Sequence, residues 1–128
     1  MKKTISKRFI KEELQKIDEA DDLRISPFRS DGVTYGTPTW IWAVVVAGRL
    51  YVRPYHREKS KWYNAAVRQG KGRIHAAGMV KNVLFKSAPG EVNKWIDDAY
   101  RKKYAGNTFL KTMIGSSIHP VTVRIEPL

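Results

Sequence analysis

The stretch from Trp40 to Asn64, WIWAVVVAGRLYVRPYHREKSKWYN, constrains the fold more than any other part of this chain. Within Trp40–Ala47 both alternate sets of residues are apolar. Trp40, Trp42, Val44 and Val46 share one side, and Ile41, Ala43, Val45 and Ala47 share the other. A β-branched and aromatic run of this kind, bounded by turn residues, predicts a strand covered on both faces. In Leu50–Tyr55 the side chains alternate, with Leu50 and Val52 opposite Tyr51, Arg53 and Tyr55. A turn at Gly48-Arg49 joins the two runs into a hairpin. Pro54 has no N–H and ends the pairing, which sends His56-Arg57-Glu58-Lys59 out as a loop. A cationic loop leading into a helix start is a place where an anion would be held.

The chain has 128 residues, enough for one domain with a real core, and 1–128 reads as a single unit. Hydrophobic content of 42% and aromatic content of 11% predict a folded globule. There is no cysteine, so disulfides and thiolate zinc sites are excluded. The N-terminus MKKTISKRFIKEEL carries no continuous apolar segment, and the longest apolar run is too short to cross a bilayer. The expectation is a cytoplasmic protein without membrane association. Against 12 acidic residues stand 24 basic ones, a net charge of +12 and a pI near 10.1. Such a field attracts phosphate, nucleic acid or another polyanion.

Along the chain, Ile5, Phe9, Ile10, Leu14 and Ile17 recur at helical spacing, predicting an N-terminal helix within 1–20, capped by Thr4 or Ser6. Residues 22–128 then read as a barrel with inserted helices. Leu23–Ile25 is a short strand, and Phe28–Thr39 is turn-rich. Ser60 is a natural N-cap for a helix Lys61–Gln69, with Gly70 as its stop. Ile74–Ala77 and Val80–Ser87 form a second hairpin around Gly78-Met79. Pro89-Gly90-Glu91 opens a helix whose stripe is Val92, Trp95, Ile96, Ala99, Tyr100 and Tyr104, with Asp97/Arg101 and Asp98/Lys102 paired on its polar face. A short helix Phe109–Ile114 and a strand Pro120–Glu126 complete the chain. About six strands in hairpins with three to four helices define an α+β fold, a small antiparallel barrel flanked by helices.

Most catalytic motifs fail on inspection. Gly70-Lys71-Gly72 lacks the third glycine of a dinucleotide loop and precedes a strand. His56, His75 and His119 show no ligand spacing, so no metal site is expected. No serine elbow or cysteine nucleophile exists, and no catalytic residue is assigned. Asp97 and Asp98 diverge on a helix and read as surface ion pairs. What remains is a cationic set, Arg29, Arg53, Arg57, Ser60, Lys61 and Arg73, with Trp40, Tyr55, Trp62 and Tyr63 close in sequence. Arginine forks and a helix N-terminus suit phosphate. Aromatic neighbours suit a flat ring. Trp40 and Trp42 read as core. For Arg53 and the Arg57–Lys61 loop, the residues leave open whether the charges bind a ligand or are merely solvated.

The order RSDG…YGTPTWIW, GRLYVRP, SKWYNAAVRQGKGRI, NVLF, IDDAYRKKYAG and TVRIEPL resembles an uncharacterised bacterial domain-of-unknown-function family. We associate that family with the flavin-binding split-barrel superfamily. The same order is similar to deazaflavin-dependent nitroreductases, over roughly Ser26 to Leu128. The resemblance implies a split β-barrel, a flavin-type cofactor (FMN or a deazaflavin) and hydride transfer to a small acceptor. It also implies a homodimer. It places Arg53, Arg57, Ser60, Lys61 and Trp62 near the cofactor, with Tyr63 packed by the ring and Arg29 in the preceding loop. Departures are plain: Phe28 and Asp31 stand where the nitroreductase loop has glycine and serine, and His56–Lys59 lacks glycine. The alternative is a non-enzymatic basic binding module for nucleic acid or another polyanion that has lost the cofactor.

Overall fold

A computed structural model describes residues 7–128. In chain order the elements are α1 (Lys11–Ala20), β1 (Arg24–Pro27), β2 (Thr39–Trp40), β3 (Ala43–Val46), β4 (Arg49–Val52), α2 (Lys61–Gln69), β5 (Lys71–Ala76), β6 (Met79–Ser87), α3 (Asn93–Lys103) and β7 (Val123–Pro127). All seven strands lie in one antiparallel sheet of order β2-β1-β5-β6-β7-β4-β3. The two outermost strands are consecutive in the chain and separated only by Ile41 and Trp42. The sheet is therefore curled into a half-barrel whose seam is crossed by a single stretch of chain. The α+β, barrel-like reading of the sequence is borne out, with seven strands and three α-helices.

The apolar run behaves as its alternation demands, with one break. Ile41, Ala43 and Val45 face the main core with α1, α2 and the barrel strands, including Ile25, Leu50, Ile74 and Ile125. Trp42, Val44 and Val46 face a second core built with Tyr51 and with Ile96, Tyr100 and Tyr104 on or just beyond α3. The strand is nevertheless not continuous. Thr39–Trp40 pairs with β1 while Ala43–Val46 pairs with β4, because the chain must leave one edge of the curl and join the other. Trp40 thereby leaves the core and stands 54% exposed.

Both hairpins turn one residue earlier than expected. Ala47-Gly48 and Ala77-Gly78 each adopt positive φ at both positions, the type I′ geometry that matches strand twist. Ser60 caps α2 by accepting from the Tyr63 N–H at 3.4 Å, and Gly70 ends that helix at φ 67°. Gly72 has a different reason: a Cβ there would lie 2.5 Å from Ser26 O and 2.6 Å from Pro27 Cα, across the β1–β5 ladder.

Three local expectations are corrected. The first helix starts at Lys11, with the Ile10 N–H donating to the Glu13 carboxylate at 3.4 Å; Phe9 is buried ahead of it, and the expected caps Thr4 and Ser6 fall outside the described residues. The segment 109–114 contains only a 3₁₀ turn, Leu110–Met113. The last strand begins at Val123, because Pro120 sits inside a 3₁₀ turn, His119–Val121, that cannot join the ladder.

Candidate functional site

A cleft of about 800 Å³ opens at the seam of the half-barrel. The seam itself supplies Thr39, Trp40, Ile41 and Trp42. The end of β4 and the following loop supply Arg53, Tyr55, His56 and Lys59, the start of α2 supplies Ser60, Lys61 and Trp62, and Phe109 and Met113 close the far side. The lining is mostly apolar and aromatic, with cations gathered at the helix start. Phe109 and Tyr55 are 54% and 40% exposed and meet edge to face at 5.6 Å. His56 also meets Tyr55 in a T-shaped contact, at 5.1 Å. Trp42 is fixed by stacking on Tyr104, with centroids 4.0 Å apart and planes within 5°.

The loop that feeds the helix is held without glycine. Arg57 itself takes the left-handed conformation at φ 52°, a costly state for a non-glycine residue. Asn64 compensates by donating to Glu58 O at 2.7 Å and to Ser60 O at 3.0 Å, pinning the loop to α2. The first N–H groups of an α-helix have no partner within the helix, and those of α2 begin at this cleft.

The residues singled out from the sequence divide between the cleft and elsewhere. Arg53, Ser60, Lys61 and Trp62 converge on it. Arg57 turns away and donates to Ser117 Oγ at 2.9 Å, and Arg29 donates to Thr37 Oγ1 at 3.2 Å in its own loop. Tyr63 lines a separate cavity of about 90 Å³ between α2 and β6. Burial, helped by the Glu58 charge, raises its phenol above the ordinary value.

Arg53 reaches the cleft only as part of its floor. Its side chain is fully buried, and every N–H is committed to the protein. Nε donates to Thr122 Oγ1 at 2.9 Å, one terminal nitrogen to Asp97 Oδ1 at 2.5 Å and Met113 O at 2.9 Å, and the other to Asn93 Oδ1 at 3.0 Å and Asn93 O at 3.5 Å. Such a guanidinium has no donor to offer a phosphate; it fastens α3 and the 113–122 segment to β4. Asp97 is its counter-ion, which corrects the surface pair with Arg101: Arg101 instead meets Asp98 at 2.8 Å. Asp97 Oδ2 also contacts His119 Nε2 at 2.9 Å and accepts from Gly115 N–H at 3.3 Å. Burial acts to raise the Asp97 carboxyl. The hydrogen bonds from His119 and Arg53, the Arg53 charge and the Gly115 N–H outweigh it and hold the group below the ordinary carboxylate value.

Sequence reasoning missed this network because Asp97 was grouped with Asp98. The signal was present: Asp97 lies four residues after Asn93 and three before Tyr100, on the buried side of α3. Trp40, His56, Lys59, Phe109 and Met113 were also not assigned to the site. For Phe109 and Met113 no local pattern exists, since tertiary folding alone brings them across from α2. Among the described residues, no group of three or more His, Cys, Asp or Glu is placed to hold a metal. Nor is any helix among them long and apolar enough to cross a membrane.

The family model described as an uncharacterized protein conserved in bacteria (DUF2255) matches residues 13–125. The chain belongs to this family. Its fold is similar to the crystal structure of conserved hypothetical protein Rv2991 from Mycobacterium tuberculosis, with a TM-score of 0.59 over 100% of this chain and 85% of that one. At 13% identity that likeness concerns the fold alone. No curated protein matches. The family assignment agrees with the uncharacterised bacterial family expected from the sequence.

Proposed function

We propose that the seam cleft binds a phosphorylated flavin-type cofactor, FMN or a deazaflavin, and that the domain is a split-barrel oxidoreductase acting on a small acceptor. One observation supports this above the others: a single cleft joins an aromatic wall to a cationic helix start. Its volume of about 800 Å³ falls in the range of small-molecule and cofactor sites, ~300–1,000 Å³. The donor set also fits such a group. Lys61 and Lys59, with the Lys61 and Trp62 N–H groups ahead of the one that Ser60 caps, would hold the phosphate. Trp62, Trp40 and Tyr55 would face the ring.

The bound cofactor would supply the hydride chemistry, and this chain's task is to hold and shield it. Arg53 positions the cleft floor rather than binding phosphate. Arg29, Arg57 and Tyr63 play no direct part in the cleft. No side chain is assigned a proton-transfer role.

The test is titration of purified protein with FMN and with a 5-deazaflavin, followed by tryptophan fluorescence and thermal shift. Saturable quenching with a rise in Tm is expected for at least one ligand. Lys61→Ala and Trp62→Ala are each expected to weaken it about tenfold, since a charge-assisted contact or a stacked ring contributes about 1–2 kcal/mol. Absence of saturable binding by either ligand would overturn the proposal.

A further inference from the structure

The sheet presents a second surface on the side opposite the main core. Directly paired residues of an antiparallel ladder share a face, as do residues two apart on one strand. Arg24 faces His75, Arg73 faces Asn82, and Lys86 faces Arg124. Lys71 lies two residues from Arg73, on the same side, and all of these remain exposed or half-buried. Among the described residues, one carboxylate pairs with this surface. Glu126, itself buried, forms an ion pair with Arg124 at 2.8 Å and lies 3.5 Å from Arg49 and 4.0 Å from Lys86. Arg24, Lys71 and Arg73 form no ion pair among the described residues. Arg73 instead lies over the Tyr35 ring at 3.7 Å, and Tyr35 donates to Asn82 at 3.2 Å.

Like charges placed directly opposite one another, as Lys86 and Arg124 are, cost stability. Burial, followed by repulsion from Arg124 and Arg8, lowers the pKa of Arg49 at the edge of the same surface. A second copy of this chain makes a poor occupant, because a two-fold contact would set the positive surface against itself. Its complement is a polyanion, in keeping with the net charge of +12.

We propose that this face of β1, β5, β6 and β7 binds single-stranded nucleic acid through its phosphates, independently of the seam cleft. Neighbouring strands lie about 4.8 Å apart and same-face residues of one strand about 6.6 Å apart, so the cations form a lattice that a flexible backbone can follow.

The experiment is fluorescence anisotropy of a labelled single-stranded 12-mer with the full chain between 50 and 200 mM salt. Four neutralised phosphates give a log–log slope of about −2.8, a loss of roughly fiftyfold across that range. The exposed pair Lys71→Glu/Lys86→Glu should halve the slope and reduce the loss to about sevenfold. Lys61→Ala, in the cleft, should leave binding unchanged, so the two sites succeed or fail separately. Far-UV circular dichroism confirms that each variant is folded. The inference is overturned by any of four results: no binding, binding unaffected by the double charge reversal, equal affinity for a duplex of the same length, or tighter binding to vesicles of anionic lipid.

Discussion

Replacing Asp97 with alanine is the sharpest test of how the cleft is held. The substitution leaves the fully buried Arg53 guanidinium without its counter-ion and leaves His119 and the Gly115 N–H without their acceptor. Removing one partner of a buried pair costs about 3–5 kcal/mol, because the remaining charge is uncompensated. With 128 residues and an unfolding entropy of about 2.1 cal/mol/K per residue, each degree of Tm corresponds to about 0.27 kcal/mol. The expected fall in Tm is therefore about 11–19 °C, measured by circular dichroism at neutral pH. A double substitution, Arg53→Met with Asp97→Leu, removes both charges and should be more stable than Asp97→Ala alone. Ligand binding in the cleft should weaken along with stability in the single variant, since Met113 is anchored through Arg53. A fall of less than about 4 °C would refute the reasoning, for it would give the pair the value of a solvated surface bridge.

The same carboxylate fixes the direction of an acid effect. Its folded pKa is depressed, so its stabilising contribution is fully present above the unfolded value of about 3.9 and is lost as pH falls through the folded value. The stability gap between wild type and Asp97→Asn should accordingly be widest near neutrality and narrow below about pH 4 in urea melts. Gly72→Ala should cost about 3 kcal/mol, the upper end of overpacking, because its Cβ meets backbone atoms of β1 that cannot swing away; the urea midpoint reports it. Trp40→Ala should cost less than about 1 kcal/mol in the same assay, where a core tryptophan would cost about 3–5.

The local rules of the chain were legible in its letters. Alternation in Ile41–Val46 assigned each side chain to the core it occupies, since a strand has no other way to place successive residues. Ser60 and Gly70 marked both ends of α2, because capping depends on the residue and its immediate neighbours. Paired hairpins and amphipathic helices determined the α+β, barrel-like class.

What the sequence did not carry was set by distance along the chain. The curl of the sheet splits one apolar run between its two edges, and that closure alone turns Trp40 from a core residue into a cleft wall. It also brings Phe109 and Met113 across to the start of α2. The partners of Arg53 lie 40 to 69 residues away, on elements with no sequence relation to β4. A charge pattern cannot reveal such a pair, because Arg53 and Asp97 differ from solvated residues only in being desolvated together. Composition determined that this protein is basic; only the register of β1, β5, β6 and β7 determined that its cations share a face.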